Sequence, residues 1–274
     1  QVHGDKTGEY DGLYFTNQNI FNIDGLSAMG SRSASTSNQI AMDVIEDIEI
    51  VTSGFDASKP ATMGGYMNVV TRSGSNDLSG SFTLIAQPED WNWSNIDDGT
   101  PKSLEQYQPS VTLGGPINKD KTWFFANYRY DYRNEGVSRN ADTRAIWAAF
   151  GLDMPTEDNR IRNHTAFLKL TQQVTDNHKA TYTYIGSVNR SDYMNATQSF
   201  STANHSLVES NTHHLDFTSV WNDVFNTFFS LSWNDGWRGT PDEYRDTGNE
   251  VSITHYHAYF SRGRYQRYTG TQVQ

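Results

Sequence analysis

The chain has 274 residues and no cysteine. Disulfide frameworks, thiolate metal centres and thiol nucleophiles are therefore excluded. It also lacks any apolar stretch near the ~18 residues that a membrane-crossing helix needs. Only 35% of its residues are hydrophobic, and the mean hydropathy is −0.71. Positive charge is scarce: 21 Lys+Arg against 32 Asp+Glu leave a net charge of −11, which argues against a nucleic-acid partner. No nucleophile and base stand at a recognisable spacing, so the sequence does not read as an enzyme. Gly64-Gly65 lacks the spacing and the lysine of a phosphate-binding loop and reads as a tight turn. No cofactor is expected.

Aromatic side chains, in contrast, make up 13% of the residues, and from Leu78 onward they fall into a period of two. The expected strands are Leu78–Ala86, Gln106–Leu113, Thr122–Arg133, Asn163–Val174, Lys179–Arg190, Thr212–Trp221, Asn226–Trp237 and Gly263–Gln274. Successive side chains of a strand point to opposite faces. Phe124, Ala126, Tyr128, Tyr130 and Tyr132 thus oppose Asn127, Arg129 and Asp131, with Trp123 and Phe125 out of pattern. Tyr182, Tyr184 and Val188 oppose Lys179, Thr181, Thr183 and Ser187, with Ile185 out of pattern. Phe229, Leu231 and Trp233 oppose Ser230, Ser232 and Asn234, with Phe228 out of pattern.

Alternation alone fits a soluble β-sandwich as well as a membrane barrel. The links separate the two. Leu113 to Thr122, Val174 to Lys179 and Trp221 to Asn226 are short, and every intervening link is long. Short turns on one rim and long loops on the other are what an outer-membrane barrel requires. The runs are near the ~9–11 residues of a tilted bilayer-crossing strand. Tyr107, Trp123, Tyr132, Trp221 and Trp237 lie near run ends, where interfacial aromatic girdles stand. The sheet is expected to hold about eight strands.

Residues 1–77 behave differently. Ile20–Asp24 reads as a short strand ending in an Asp24-Gly25 turn. Ser31–Asn38 is a serine-rich loop, Ala41–Thr52 mixes helix-turn and strand signals, and Met67–Thr71 is a short apolar strand. Arg72–Asp77 is a turn cluster. A small α/β unit is expected here, too small to bury much by itself.

These residues carry a resemblance. Val44-Ile45-Glu46-Asp47-Ile48-Glu49-Ile50-Val51-Thr52-Ser53-Gly54-Phe55-Asp56-Ala57 resembles the late plug segment of TonB-dependent outer-membrane receptors. Gly64-Gly65-Tyr66-Met67-Asn68-Val69-Val70-Thr71-Arg72-Ser73-Gly74-Ser75-Asn76 is similar to the family's plug-to-barrel junction. Leu113 to Tyr128, containing Gly114-Gly115-Pro116 and Trp123-Phe124-Phe125, resembles the first periplasmic turn and third strand of the Oar-like branch. Where the family usually has Glu-Tyr-Gly-Arg, this chain has Ser58-Lys59-Pro60-Ala61.

The resemblance implies a plug inside a barrel of about 22 strands; an eight-stranded barrel, just wide enough for side chains, could not hold that plug, so these eight strands would be an arc of a larger barrel. Residues 1–77 would be the C-terminal part of the plug, and 78–274 the N-terminal part of a transmembrane β-barrel. It further implies the outer membrane of a Gram-negative bacterium, lipid contact, energy-coupled uptake of a bulky ligand (sugar, peptide or siderophore), and TonB as partner. Its junction residues would be Gly64, Gly65, Asn68, Thr71, Arg72 and Gly74. The alternative is a β-rich adhesin or binding protein without transport. Gln1 is not Met, no signal segment precedes the domain, and Gly270–Gln274 stops inside an apparent strand. Both ends are therefore expected to be cut, with the TonB-contacting segment upstream of Gln1.

Candidate binding residues lie in the long links. Trp91, Trp93, Asp97 and Asp98 combine indoles, on which sugar rings stack, with carboxylates that bind hydroxyls or cations. The blander reading is an interface belt with a hydrophilic loop. His255 and His257 share one face and are a weak pair of metal ligands with no fixed third. His213-His214 point to opposite faces and do not chelate together. A short loop helix is expected over Ala145–Leu152.

Overall fold

The computed structural model describes residues 20–27, 40–52, 65–91, 104–137, 145, 148–149, 151, 158–193, 204–239 and 266–273. They form two sheets. The first is N-terminal and small: β1 (Ile20–Ile23), β2 (Leu26–Ser27), β3 (Ile45–Val51) and β4 (Tyr66–Thr71), in the order β2-β1-β4-β3. Its central pair, β1 and β4, is parallel, and its outer pairs are antiparallel. Asp24 (φ 49) and Gly25 (φ 85) both take left-handed backbone. That is the requirement of a two-residue hairpin turn of type I′. Among the described residues of this unit the helical element is a single 3-10 turn, Met42–Val44. The mixed signal over Ala41–Thr52 thus resolves into that turn and a strand, because Ile45, Ile48, Ile50 and Val51 are β-branched and favour the pleated surface.

The second sheet is an antiparallel meander of eight strands in sequence order: β5 (Ser79–Gln87), β6 (Leu104–Asn118), β7 (Thr122–Glu135), β8 (Asn159–Thr175), β9 (His178–Tyr193), β10 (Asn204–Val220), β11 (Asn226–Gly239) and β12 (Gln266–Val273). It is open, with β5 and β12 at its edges. The links 119–121, 176–177 and 221–225 all fall on one rim, and the long links fall on the other. β10 and β11 pair from Val220↔Asn226 to Leu207↔Gly239. Their turn is closed by Asn222, whose Oδ1 accepts from the N–H groups of Val224 at 3.0 Å and Phe225 at 2.8 Å.

Several strands run longer than the alternation indicated. β6 continues through Gly114-Gly115-Pro116 to Asn118, where a turn was expected. Its register with β7 shifts between Pro116 and Asn118; an irregularity of this kind admits a residue without an N–H. β10 begins at Asn204 rather than Thr212. Of the expected loop helix, Ala145, Ala148 and Ala149 are helical. The Gly151 N–H donates to Ala148 O at 3.0 Å with Gly151 at φ 65, and the remaining residues lie outside the described ones.

One face of the meander meets the N-terminal sheet and is the inner face. Phe125, Lys169 and Thr183 lie on it in register, as do Asn127, Phe167 and Ile185. Tyr128, Tyr130, Tyr182, Tyr184, Phe229 and Leu231 lie on the opposite, outer face. Counting along each strand from the short-turn rim, the first charged outer-face residue is Glu105 on β6, Arg162 on β8, Arg190 on β9, Glu209 on β10 and Asp235 on β11. In register, Asp235 stands level with Asn211, Gly186, Ala166, Tyr128 and Val111, and Val111 is six residues nearer that rim than Glu105. The boundary therefore descends about 20 Å over about 24 Å of sheet, at ~3.4 Å per residue and ~4.8 Å per strand. That slope is about 40°, matching strands tilted by about 35–45° against a flat apolar band. A soluble sheet has no cause to hold such a line.

Candidate functional site: the contact between the two sheets

The two sheets meet over a small apolar patch and one polar knot. The patch joins Ile23, Ala41, Val44 and Val69 of the N-terminal unit to Phe125, Phe167 and Ile185 of the meander. The Phe125 and Phe167 rings stand edge to face with centroids 6.1 Å apart, a favourable quadrupole arrangement. Phe125 and Ile185, out of pattern in the sequence, are thus inner-face residues placed where the wall receives another sheet.

The knot is centred on Lys169. From mid-β8 its ammonium reaches Asp24 Oδ2 at 3.1 Å, Thr71 Oγ1 at 2.9 Å and Thr71 O at 3.2 Å. Asp24 in turn accepts from the Thr71 N–H at 2.9 Å and from its hydroxyl. The three donors of the ammonium therefore meet three oxygens, and the carboxylate uses both of its own. A buried charge pair holds only when its remaining hydrogen-bonding capacity is met in this way. The left-handed turn at Asp24 aims the carboxylate, and the last residue of β4 supplies the bridge.

The expected junction residues surround this knot. Asn68 Oδ1 accepts from the Gly25 N–H at 2.8 Å, and Asn22 Nδ2 donates to Gly25 O at 2.8 Å, so two asparagines fix the turn that carries Asp24. Gly65 O accepts from the Ile20 N–H at 2.9 Å. Arg72 donates its backbone N–H to Val44 O at 2.8 Å and Nε to Ile45 O at 3.3 Å. Gly74 lies against the backbone of Phe124, where a Cβ would overlap the carbonyl oxygen. Two residues on, Asn76 Oδ1 accepts from Trp123 Nε1 at 2.7 Å and from the Asp120 N–H at 3.0 Å. The link into the meander is thereby stapled to its first short turn. Gly64 lies outside the described residues.

The loop candidates are not gathered by the structure. Trp91 ends a 3-10 turn, Glu89–Trp91, and is largely exposed. Trp93, Asp97, Asp98, His255 and His257 lie outside the described residues. Among the described residues no group of three or more His, Asp or Glu could hold a metal ion. His213 and His214 do face opposite ways: His213 is on the outer face against Trp233, with ring centroids 5.5 Å apart. His214 is on the inner face, bonded to Asp216 at 2.6 Å and Ser230 at 3.0 Å.

An outer-membrane β-barrel domain model matches residues 70–145. The fold is shared with solved outer-membrane receptors. The outer membrane transporter YddB from Escherichia coli superposes with a TM-score of 0.59 at 14% identity, covering 81% of this chain and 31% of that one. A ferric enterobactin receptor (PfeA) mutant from Pseudomonas aeruginosa gives 0.59 at 13% identity, covering 94% and 37%. With the inner sheet and tilted apolar band, these findings give the chain the fold of outer-membrane receptor barrels, in the outer membrane of a Gram-negative bacterium. In sequence it is similar to the TonB-dependent transporter Oar of Myxococcus xanthus, at 30% identity over 165 residues. That match takes in 55% of this chain and 14% of the relative, so the chain spans a small part of the relative's length.

Proposed function

We propose that the chain supplies the C-terminal part of the plug, residues 1–77, and the N-terminal part of the wall, residues 78–274, of a receptor that moves a bulky ligand across the outer membrane under the pull of TonB. The observation that carries this reading is the Asp24–Thr71–Lys169 knot. It fixes the plug to the wall through one charged centre over a small apolar patch. Such a contact closes the lumen at rest yet is limited enough to part when the plug is drawn. Transport then requires the plug to shift against the wall, a gating step rather than a chemical one. Trp91, Trp93, Asp97 and Asp98 are proposed to contact ligand on the long-loop side. A sugar, peptide or siderophore all fit indoles beside carboxylates.

This chain has no cysteine, so within it two introduced thiols can be joined specifically, once any cysteine elsewhere in the full-length protein is replaced. In the full-length receptor, Thr71→Cys and Lys169→Cys are joined by a short bis-methanethiosulfonate, which forms a disulfide with each thiolate and releases sulfinate, and which reductant cleaves. Uptake of a panel of labelled siderophores, oligosaccharides and peptides is then followed in cells with and without TonB. Tethering should stop TonB-dependent uptake, leave surface binding intact and be reversed by reductant. Undiminished uptake through the tethered protein, or uptake indifferent to TonB, would favour a non-transporting binding protein.

A further inference from the structure

We propose that the long-loop half of the inner face binds an uncharged oligosaccharide, and that this is the class of ligand taken up. The proposal rests on the transport reading above and narrows it from sugar, peptide or siderophore to sugar. One row divides the inner face: Thr112, Asn127, Phe167, Ile185, Thr212 and Asn234 stand level across β6 to β11. Phe167 and Ile185 receive the N-terminal sheet. Above that row, toward the long links, the wall turns to hydroxyls and amides. Ser110, Thr165 and Ser187, in the next row, are buried. Higher still, Gln106, Gln108, Asn189, Ser191 and Ser206 are half-buried, and Tyr193 is exposed at the rim.

The net charge of −11 is not carried by this surface. Above the dividing row, the charged inner-face residues of β5 to β12 are Arg129, Asp131, Arg133, Glu135 and Arg238. Four of them cancel in pairs along β7. Arg129 Nη2 lies 2.8 Å from Asp131 Oδ1, and Arg133 Nη2 lies 2.9 Å from Glu135 Oε2. Arg238, level with Val208 near the end of β11, is the charge that remains. The first long link, 88–103, carries Glu89, Asp90, Asp97 and Asp98 against Lys102.

Anionic ligands are held by charge-assisted bonds to uncompensated cations. A polyanionic iron chelate would pass an acidic link, which repels it, and then meet a wall whose cations are paired on their own strand. An uncharged ligand pays neither cost. A sugar hydroxyl both donates and accepts, as do the hydroxyls of serine and the amides of asparagine and glutamine taken as a group. A peptide draws its specificity from pockets for its side chains. Here the aliphatic residues of the upper wall, Ile85 on β5, Ile161 on β8 and Val208 on β10, stand on strands that are not neighbours. Tyr193 adds an exposed ring at the rim, on which a pyranose face can stack.

The test measures binding to the full-length protein, purified in neutral detergent without TonB. The probes are an array of glucan, xylan and mannan oligosaccharides, uronate-bearing oligosaccharides, ferric enterobactin, and uncharged and lysine-rich peptides. An uncharged oligosaccharide should bind tightest, with an affinity indifferent to salt. Q108A/N189A should weaken that binding about tenfold, since hydrogen bonds to the ligand are lost from two strands. Should the double variant fail to fold, Q106A and S191A are measured singly, and each should weaken binding about threefold. Tighter binding of ferric enterobactin, a uronate or a peptide, an affinity that falls with salt, no binding of any uncharged oligosaccharide, or full affinity in the variants would each overturn the proposal. Uptake by cells with and without TonB is scored separately. Sugar binding without TonB-dependent uptake keeps the ligand class and removes transport; TonB-dependent uptake of an anion or a peptide does the reverse.

Discussion

Lys169 on β8 and Asp24 in the first hairpin turn are 145 positions apart in sequence and 3.1 Å apart in space, with Thr71 bonded to both. This triangle is the polar half of the contact between the N-terminal sheet and the meander. It takes a carboxylate from the β1-β2 turn, a hydroxyl and carbonyl from the end of β4, and an ammonium from β8.

Removing one charge from a buried pair strands the other. Lys169→Met in the full-length protein should loosen the N-terminal sheet by about 3–5 kcal/mol. The readout is protease cleavage within residues 20–72, with the wall strands remaining protected. K169M/D24N should recover much of the loss, because no uncompensated charge is then left. Equal protection of the N-terminal sheet in K169M and the parent protein would show that the knot carries no weight.

Phe167 tests the apolar half. Phe167→Ala removes one ring of the edge-to-face pair and opens a space beneath Ile23 and Val69. A cost of about 3–5 kcal/mol is expected for a large-to-small change of this type, again expressed in release of the N-terminal sheet rather than unfolding of the meander. A global loss of the heat-resistant barrel form instead would place Phe167 in the wall's own stability.

The wall was legible in the sequence, and the knot was not. Alternation and link lengths sufficed for eight strands in sequence order and for the outer-face set, because a period of two survives any local noise when one face meets lipid. The breaks in that pattern carried information of their own. Trp123, Phe125, Ile185 and Phe228 are inner-face residues, and Phe125 and Ile185 lie under the N-terminal sheet. Phe228 lies on the inner face and is largely exposed. Lys169 gave no local sign. A lone inner-face lysine between Phe167 and Thr171 reads as a lumen charge until its partner, far away in sequence, is placed. Asp24 read as a turn residue because the turn does require it; its second role depends on the sheet order β2-β1-β4-β3, which sequence spacing does not encode. Neither did alternation tell where strands end above the bilayer, since that boundary separates water from water.

Gly74 should tolerate no side chain. A Cβ there would overlap the carbonyl oxygen of Phe124, a backbone atom that cannot turn aside. Gly74→Ala is expected to cost about 1–3 kcal/mol or more, as overpacking does, and to lower the yield of folded receptor in the outer membrane. Gly25→Ala separates space from conformation: its Cβ would meet no neighbour, yet φ is 85. It should cost about 1–2 kcal/mol through backbone strain alone. Full tolerance of Gly74→Ala would mean that the link 72–78 does not lie against β7.

The outer face offers the sharpest test of membrane contact. Leu231 lies mid-strand on β11, on the outer face, level with Leu215 and Tyr182. An arginine there should cost about 2–4 kcal/mol in a folding titration into lipid, the penalty for a charge near the bilayer midplane. Its neighbour Ser230 faces the lumen but is not a neutral control, because it is buried and bonded to Asp216 at 2.8 Å. Thr218, exposed on the inner face of β10 opposite Phe228, is the better one. Thr218→Arg should cost well under half as much, since its charge meets lumen water. Equal penalties at the two positions would contradict the tilted apolar band traced by Glu105, Arg162, Arg190, Glu209 and Asp235, and with it the placement of this sheet in a bilayer.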